Sequence, residues 1–412
     1  MKVLVIGSGG REHALALALS RDPEVSELHA APGNPGIAAV AELHDVDPND
    51  GTAVADLAEG LGIDLVVVGP EAPLVAGVAD AVRARGIDCF GPSREAAQLE
   101  GSKAFAKDVM AEAEVPTAMA HVCTTPSEVA DALDAFGPPY VVKDDGLAAG
   151  KGVVVTESRD EALAHAAACG RVVVEEYLAG PEVSLFAITD GTTVVPLQPA
   201  QDFKRVGDGD TGPNTGGMGA YTPLPWAPEG LVAEVTDRVL QPTVTEMARR
   251  GTPFQGLLYA GLAITDRGVR VIEFNARFGD PETQPLMALL DSPLGVMLRA
   301  AARGTLDEVG APRWKDGAAV AVVVASKDYP GKPRTGDVIH GLMDAGRVDG
   351  VEVIHAGTAL GEDGTLVTSG GRVLAVTAVG ADVAQARTRA YDGVEKIRID
   401  GSHHRTDIAA GA

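Results

Sequence analysis

The chain contains few cysteines. Its 412 residues include three, Cys89, Cys123 and Cys169, which are far apart, and no CxxC pair occurs. An odd number at such spacings argues against a disulfide framework and against a structural zinc site. The cysteine pattern is typical of a reducing compartment, and we therefore expect a cytoplasmic protein.

Basic runs and long apolar runs are also absent from the sequence. The chain has 34 Lys and Arg against 58 Asp and Glu, a formal net charge of −24, so nucleic acid is not an expected partner. No apolar run approaches the ~18 residues of a membrane span, and the opening "MKVLVIG" enters a strand directly, without the pattern of a signal peptide. We expect an enzyme of small molecules, without membrane partners and with a monomer favoured.

The order of the apolar segments predicts three domains. Residues 1–100 alternate strands such as "KVLVIG" with helices such as "EHALALALSR", which indicates a doubly wound, Rossmann-like parallel sheet with ligands at the carboxyl ends of its strands. Residues 101–312 form a second unit, whose part at about 119–187 is a small α/β subdomain. Residues 313–412 form a last α+β unit. The polar, glycine-rich segment after Gln201 is too long for a simple connector and predicts a functional loop.

The stretch "IEFNARFGDPETQ" (272–284) carries polar side chains in step along a predicted strand. Side chains alternate on a strand, so Glu273, Asn275 and, if the extension continues, Arg277 share one face, while Ile272 and Phe274 take the other and can pack into a core. One carboxylate and one amide oxygen suit Mg²⁺, and an adjacent arginine suits a phosphoryl oxygen. A strand with a solvated face is the alternative.

The turn "GSGGREH" lies between the first strand and the first helix. Its glycines let the backbone approach a phosphate, and the helix N-terminus favours an anion. A dinucleotide fingerprint needs a third glycine where Glu12 stands, so a single phosphate near Arg11 fits better than NAD. A tight turn without a ligand is the alternative. In "GPEAP" (69–73), Glu71 follows another strand of the same sheet, where ligands bind in such folds.

The segment "VVKDDGLAAGKGVVV" (141–155) is the strongest local signal. It places Lys143 in a hairpin-like unit and frees the loop that carries Lys151 with Gly146, Gly150 and Gly152. Glycine loops flanked by lysines bind phosphates through N–H groups and point charges. The segment is not a P-loop, because glycine rather than Ser or Thr follows Lys151. A mobile hairpin tip is the alternative.

Taken together, these blocks resemble a known family. "GPEAPL", "GLAAGKGV", "GPNTGGMGAY" and "IEFNARFGDPETQ" occur in order, and the sequence is similar to the phosphoribosylamine–glycine ligases (glycinamide ribonucleotide synthetases) of the ATP-grasp superfamily. The resemblance spans nearly the whole chain. It implies an ATP-grasp fold with an N-terminal pre-ATP-grasp domain. It also implies ATP-dependent ligation of glycine to 5-phosphoribosylamine through glycyl phosphate, in purine biosynthesis.

The resemblance also implies roles for individual residues. Glu273 and Asn275 would hold Mg²⁺ or Mn²⁺, and Arg277 would stabilise the transferring phosphoryl group as the catalytic residue. The residues implied for ATP are Lys103, Lys143, Gly146, Lys151, Gly152, Glu175, Glu176, Tyr177, Leu178, Glu182, Arg205 and Asn214. Within this set, Glu175 to Leu178 would line the adenine pocket largely by backbone, Glu182 would bind ribose, and loop 146–152 would close as a lid. The residues implied for the other substrates are Gly9, Gly10, Arg11, Glu71, Asp202 and Lys204.

The sequence departs from the family pattern at two places in the lid region. Asp144 stands where a small residue is usual, and the stretch from Glu161 to Arg171 is shorter than usual. Three other functions stay open at this point: an ATP-grasp ligase for a different amine, an NAD-dependent oxidoreductase, and a silent nucleotide-binding regulator. The missing third glycine disfavours the oxidoreductase, and the intact set of Lys103, Lys143, Glu273, Asn275 and Arg277 disfavours the regulator.

Overall fold

The first hundred residues fold around a parallel sheet. A computed structural model describes residues 1–147 and 152–412 of the chain. The strand order of the first sheet is β3-β2-β1-β4-β5. The strands are β1 (Lys2–Gly7), β2 (Glu27–Pro32), β3 (Glu42–Leu43), β4 (Leu65–Val68) and β5 (Asp88–Phe90), and the helices are α1 (Gly10–Ser20), α2 (Gly51–Leu61), α3 (Glu71–Ala76), α4 (Val78–Arg83) and α5 (Gln98–Gly101).

Both faces of this sheet are buried, as the continuous apolar run of the first strand predicts. Leu4 and Ile6 join one core cluster, whereas Val3 and Val5 join the cluster on the opposite face. The carboxyl end of β1 leads directly into α1 through Ser8 and Gly9. The doubly wound character predicted for this part of the chain is therefore confirmed.

A second sheet is antiparallel and has the strand order β6-β9-β7-β8. Its strands are β6 (Ala120–Cys123), β7 (Tyr140–Asp144), β8 (Val153–Thr156) and β9 (Val172–Glu175), and the helices of this region are α6 (Lys103–Glu112), α7 (Pro126–Phe136) and α8 (Arg159–Ala167). The predicted hairpin around Lys143 is present, because β7 pairs with β8 from Tyr140 to Lys143. Ser102 caps α6 by accepting a hydrogen bond from the Phe105 N–H.

The third sheet carries the polar strand. Its order is β11-β10-β16-β17, and a two-stranded hairpin of β13 and β14 lies outside it. The strands of this region are β10 (Glu182–Asp190), β11 (Val194–Pro196), β12 (Gln201–Asp202), β13 (Arg205–Gly207), β14 (Thr211–Asn214), β15 (Gly219–Thr222), β16 (Gln255–Thr265) and β17 (Gly268–Asn275), and the helices are α9 (Leu231–Val235), α10 (Gln241–Arg249), α11 (Thr283–Leu289) and α12 (Leu294–Arg303).

The last sheet has the order β12-β15-β18-β22-β19, with β20 and β21 as a separate pair. Its later strands are β18 (Ala318–Ala325), β19 (Val351–His355), β20 (Thr358–Leu360), β21 (Leu366–Thr368) and β22 (Arg372–Gly380), accompanied by α13 (Leu342–Ala345) and α14 (Val383–Val394). Two strands from the polar segment after Gln201 thus complete the sheet of the C-terminal region. The predicted boundary at 312/313 divides strands of one sheet, and the three domain ranges stay a prediction.

A β-bulge changes the side-chain pattern of β17. Glu273 lies opposite Gly261, but Val271 lies opposite the next residue, Leu262, so Ile272 is the additional residue. Val271 and Phe274 are in the core cluster, whereas Ile272 is only partly buried and outside it. The prediction that Ile272 packs into the core beside Phe274 was therefore wrong. Strict alternation of side chains does not hold here, because the additional residue of the bulge lies immediately before Glu273.

Helix α1 also contacts the C-terminal region. His13 is buried, and its Nδ1 accepts a hydrogen bond from the backbone N–H of His355 at 2.8 Å. Burial and the neighbouring His355 ring lower the pKa of His13 to about 3. An unfolded histidine has a pKa of about 6.5. The unfolded chain therefore binds more protons than the folded chain between these two values, and the contact loses stability as the pH falls.

We predict that His13→Asn flattens the acid side of the stability curve. Asn can keep an acceptor near the Nδ1 position but does not titrate there, so the loss of unfolding free energy between pH 7 and pH 4 should shrink by roughly 1–4 kcal/mol. Urea unfolding at a series of pH values measures this difference. His121→Asn, at an exposed histidine, is the control. Parallel pH profiles for wild type and His13→Asn would contradict the account.

Candidate functional site

The polar face of β17 is the centre of the candidate site. Glu273 and Asn275 lie two residues apart on the strand, opposite Gly261 and Tyr259. Burial alone would raise the pKa of Glu273, but the charges of Lys204, Lys143, Lys103 and Arg277 outweigh it and the pKa is lowered. The carboxylate is therefore ionised and surrounded by cations. A solvated strand face would not show this concentration of charge around one carboxylate.

Arg277 lies just beyond the strand and beside Asn275. Its Nη2 donates to Asn275 Oδ1 at 3.4 Å, which keeps the two side chains together although β17 ends at Asn275. The guanidinium also pairs with Glu71 at 3.1 Å and with Glu100 at 3.0 Å. Burial would lower the pKa of Arg277, but Glu100 and Glu71 raise it well above its usual range.

The two predicted phosphate lysines approach this face from different elements. Lys143 is buried and donates from Nζ to the Ile272 carbonyl oxygen at 2.9 Å. The bulge at Ile272 thus provides an acceptor for this lysine. Lys103, the first residue of α6, donates from Nζ to the Gly146 carbonyl oxygen at 3.0 Å. Its charge lowers the pKa of Glu273 as well, so both lysines act electrostatically on the same carboxylate.

Glu175 is held by two lysines, of which Lys143 is buried and Lys107 is partly buried. One carboxylate oxygen lies 2.9 Å from Lys143 Nζ, and the other lies 3.2 Å from Lys107 Nζ. Lys107 also donates to Thr117 Oγ1 and to the Ala118 carbonyl oxygen. Sequence reasoning missed Lys107, which lies four residues after Lys103 on α6 and is one helical turn away. With both oxygens engaged, the Glu175 side chain positions Lys143 and is not free to contact a nucleotide.

The segment predicted for adenine follows the end of β9. Glu176 Oε1 accepts from the Met119 N–H at 3.0 Å, and Oε2 pairs with Arg267 at 3.0 Å, so its side chain is also engaged. Tyr177 is exposed and Leu178 is partly buried, and neither belongs to a strand. Farther along, the exposed Glu182 forms an ion pair with Lys204. The prediction that this segment acts largely through its backbone is compatible with these contacts.

Asp202 and Lys204 lie beside the same face. Burial raises the pKa of Asp202 to about 7; Lys204 opposes this change, and the carboxylates of Glu282, Glu182 and Glu273 add to it. Burial would lower the pKa of Lys204, but Asp202, Glu182 and Glu273 raise it well above its usual value. Glu282, which sequence reasoning missed, is buried and accepts hydrogen bonds from Tyr259 at 2.7 Å and Ser184 at 3.2 Å.

The glycine turn after β1 faces residues from the far end of the chain. Arg11 is buried, and its Nη1 donates to the Phe278 carbonyl oxygen at 3.1 Å and lies 4.0 Å from Glu71. A cavity of about 240 Å³ adjoins the turn. Its lining residues are Ser8, Gly9, Asp280, Ala356, Gly357 and Arg372.

Arg372 is the cation of this cavity, and sequence reasoning did not single it out. Its guanidinium lies 3.3 Å from Asp280 Oδ2 and donates to the carbonyl oxygens of Gly216 and Asp280, each at 2.7 Å. A Cβ at Gly10 would lie 2.7 Å from Gln284 Nε2, so a side chain there would require the Gln284 amide to move. The turn thus brings backbone N–H groups, Arg11 and Arg372 to one end of the first sheet.

Of the three residues predicted to bind ATP from the lid loop, the structure describes Gly146 and Gly152. Gly146 accepts from Lys103, and the Gly152 carbonyl oxygen accepts from the Asp144 N–H at 2.7 Å. Lys151 lies outside the described residues, as does Gly150.

Arg205 and Asn214 face each other across the hairpin of β13 and β14, where Arg205 donates to the Gly212 carbonyl oxygen at 2.8 Å.

Comparison with known proteins identifies the family. Models described as the N, ATP-grasp (A) and C domains of phosphoribosylglycinamide synthetase match residues 1–100, 101–283 and 319–411. The phosphoribosylamine–glycine ligase of Streptomyces coelicolor is 69% identical over 414 residues, covering 100% of this chain and 99% of that protein. The chain belongs to the phosphoribosylglycinamide synthetase family. The family resemblance predicted from the motifs is confirmed.

Solved structures agree with this membership. The crystal structure of the phosphoribosylamine–glycine ligase of Thermotoga maritima is 33% identical, has a TM-score of 0.86, and covers 99% of this chain and 100% of that one. The biotin carboxylase domain of Hydrogenobacter thermophilus 2-oxoglutarate carboxylase is 17% identical with a TM-score of 0.72, covering 98% of this chain and 91% of that one, which shows a shared fold. Within residues 1–147 and 152–412, no helix is long and apolar enough to cross a membrane.

We predict that Glu175→Gln destabilises the fold through its lysines. The ammonium groups of the buried Lys143 and the partly buried Lys107 would lose their common counter-charge, and breaking a buried pair typically costs about 3–5 kcal/mol. Urea unfolding measures the loss. Adding Lys107→Met should recover part of it, because one of the uncompensated charges is then removed.

Glu176→Gln is the matched control for this change. Its partner Arg267 is largely exposed, and an exposed pair contributes at most about 1 kcal/mol. Equal destabilisation by Glu175→Gln and Glu176→Gln, or no recovery in the double variant, would show that the two lysines do not depend on Glu175.

Proposed function

We propose that this protein ligates glycine to 5-phosphoribosylamine with ATP, giving glycinamide ribonucleotide, ADP and phosphate in de novo purine biosynthesis. Full-length similarity to phosphoribosylamine–glycine ligases supports the assignment. The observation that carries it is the ionised carboxylate of Glu273 among four cations, with the Gly9–Arg11 turn reached through Arg277 and Glu71. Such an arrangement suits a reaction among several anions.

The donor atoms on β17 fit a divalent metal ion. Glu273 offers an ionised carboxylate and Asn275 an amide oxygen on one strand face, and Mg²⁺ prefers oxygen ligands while keeping several waters. Family membership indicates ATP with a divalent ion, and we propose Mg²⁺ or Mn²⁺ at these two residues. When bound there, the ion would neutralise phosphate charge. Asn275 is kept in place by the hydrogen bond from Arg277.

The cations assigned to ATP suit the activation of glycine, whose carboxylate is a poor electrophile. A carboxylate has no good leaving group, so a glycine oxygen attacks the γ-phosphorus of ATP, ADP leaves, and glycyl phosphate forms. Phosphoryl transfer asks the protein mainly for positioning and charge neutralisation. We assign Lys103 and Lys143 to the ATP phosphates and Arg277 to the transferring group. The backbone of Glu175 to Leu178 is assigned to adenine and Glu182 to ribose, with Arg205 and Asn214 near the nucleotide.

The second half-reaction is the attack of 5-phosphoribosylamine on glycyl phosphate. The amine nitrogen of 5-phosphoribosylamine attacks the acyl carbon, the C–N bond forms, phosphate leaves, and the nitrogen loses a proton. We assign Gly9, Gly10, Arg11 and Glu71 to the phosphoribosylamine side, with Arg372 as an additional cation for its phosphate. Asp202 and Lys204 are assigned to glycine or the reacting amine, because they lie beside Glu273 and Glu282.

Several finer assignments remain proposals. Loop 146–152 is proposed to close over ATP, which the contact between Lys103 and Gly146 supports at one end of the loop. We propose the domain ranges 1–100, 101–312 and 313–412, a monomer, and a cytoplasmic location. A ligase that uses a different amine is the second candidate, because the shared ATP machinery does not distinguish the acceptor.

We predict that ADP release requires ATP, Mg²⁺, glycine and freshly prepared 5-phosphoribosylamine together. A coupled assay that omits each component in turn measures this requirement. Each omission should abolish sustained turnover, because glycyl phosphate forms only from glycine and is consumed only by the amine. Full ADP release without glycine, or without phosphoribosylamine, would contradict the ligase assignment, and release with a different amine alone would favour the second candidate.

We predict that Glu273→Gln lowers kcat at least ~100-fold while leaving the fold stable. The change removes the charge that faces the metal but keeps the side-chain volume, and ~3 kcal/mol of lost transition-state stabilisation corresponds to about a hundredfold in rate. The strand should survive, because Val271 and Phe274 still pack in the core. The measurement is kcat against Mg²⁺ concentration, with thermal unfolding in parallel.

Glu229→Gln, the same chemical change at an exposed position, is the control and should leave kcat unchanged. Wild-type kcat for Glu273→Gln at low Mg²⁺ would refute the metal assignment.

A further inference from the structure

A cluster of histidine and glutamate side chains lies at the edge of the first sheet, away from the polar face of β17. His29 on β2 is opposite Glu42 on β3 in the parallel register, and His44 follows β3 directly. One ligand atom from each of the three residues lies within 4.8 Å of the other two. His29 is 5% exposed, whereas Glu42 is exposed and His44 is partly buried, so the cluster has a buried base and an open side.

From this cluster, we propose that His29, His44 and Glu42 bind a divalent transition-metal ion such as Zn²⁺. The distance from His29 Nδ1 is 3.0 Å to His44 Nε2 and 3.8 Å to Glu42 Oε2. Ligand atoms at the usual Zn–N distance of 2.0–2.1 Å lie about 3.4 Å apart in a tetrahedron, so small side-chain adjustments are enough. Imidazole nitrogens with one carboxylate favour zinc and its neighbours over magnesium or calcium.

The second ring nitrogen of His29 provides an independent observation. His29 Nε2 is buried and has no hydrogen-bond partner among the described residues. It lies 3.7 Å from Glu27 Oε2, and the Glu27 carboxylate is itself held by Lys2 at 2.9 Å. A metal-bound histidine usually directs its other N–H to a carboxylate, which fixes the tautomer. With the ion on Nδ1, the proton of His29 is placed on Nε2, facing Glu27.

A hydrogen bond between two neutral imidazoles is the competing explanation of the short contact between His29 and His44. It accounts for one nitrogen of each ring but gives no role to Glu42, which lies 3.8 Å from the same nitrogen of His29. The proposed ion uses Nδ1 of His29, Nε2 of His44 and the Glu42 carboxylate together. The absence of cysteine pairs excludes only cysteine-based zinc sites, so the sequence pattern does not contradict a site made of His and Glu.

The ion would fasten a short edge strand. β3 has only two residues, Glu42 and Leu43, and such a strand gains little from its own ladder. The loop that precedes it includes Asn34, whose Nδ2 donates to the carbonyl oxygens of Ser8 at 2.8 Å and His355 at 3.1 Å. A metal clamp from β2 to the end of β3 would therefore secure the loop that contacts the glycine turn. Its role is structural.

The test is zinc binding by the untagged, full-length protein. Protein dialysed against chelator is titrated with Zn²⁺ in excess Mg²⁺, which competes for the site proposed at Glu273 and Asn275, and Co²⁺ serves as an absorbing probe. We expect about one Zn²⁺ per chain, tetrahedral Co²⁺ absorption bands, and a higher midpoint of thermal unfolding in zinc. His44→Ala and Glu42→Gln should each weaken zinc binding at least ~10-fold and remove the thermal shift.

His121→Ala, at an exposed histidine of β6, is the matched control and should bind zinc as wild type does. Circular dichroism of each apo variant establishes that it is folded. Unchanged zinc affinity in both His44→Ala and Glu42→Gln, an equal loss in His121→Ala, or only unsaturable, adventitious zinc binding by the wild type would each overturn the proposal.

Discussion

The pairing of Arg277 with Glu71 and Glu100 is the interaction on which the rest of the site depends. Glu71 begins α3 at the carboxyl end of the first sheet, Glu100 lies on α5, and Arg277 follows β17. Three segments that are far apart in the chain thus meet at one partly buried guanidinium. Because an unpaired charge away from water is costly, the two carboxylates keep the arginine in place, and the arginine links α3 and α5 to the end of β17.

Around this pairing, the site carries concentrated positive charge although the chain as a whole is acidic. The chain carries a formal net charge of −24, yet ATP, glycine and the phosphate of 5-phosphoribosylamine all bring negative charge. The solution is local: Lys103, Lys143 and Lys204 all act on Glu273, while Arg11 and Arg372 lie near the glycine turn. Buried carboxylates such as Glu175 keep these cations in place when no substrate is bound, which is the preorganisation that phosphoryl transfer requires.

Much of the fold and site follows from short contiguous motifs. The apolar run of β1, the glycine turn, the hairpin around Lys143 and the face of Glu273 and Asn275 are each encoded within a few neighbouring residues, so periodicity and turn chemistry predict them. Ile272 departs from this pattern because a bulge depends on the register with β16, which strand alternation alone does not specify. Lys107, Glu282 and Arg372 were missed for a related reason. Each acts through partners distant in the chain, and no local spacing marks that contact.

The most direct test of the central claim follows the oxygen atoms of glycine. With glycine labelled by ¹⁸O in its carboxylate, formation of glycyl phosphate transfers one glycine oxygen to phosphorus, and attack by the amine releases that oxygen with the phosphate. Mass spectrometry of the released phosphate, from reactions with ATP, Mg²⁺ and 5-phosphoribosylamine, should find one ¹⁸O per turnover, and the other glycine oxygen should remain in the amide. Unlabelled phosphate, with turnover intact, would show that glycine is not phosphorylated and would contradict the function proposed for this site.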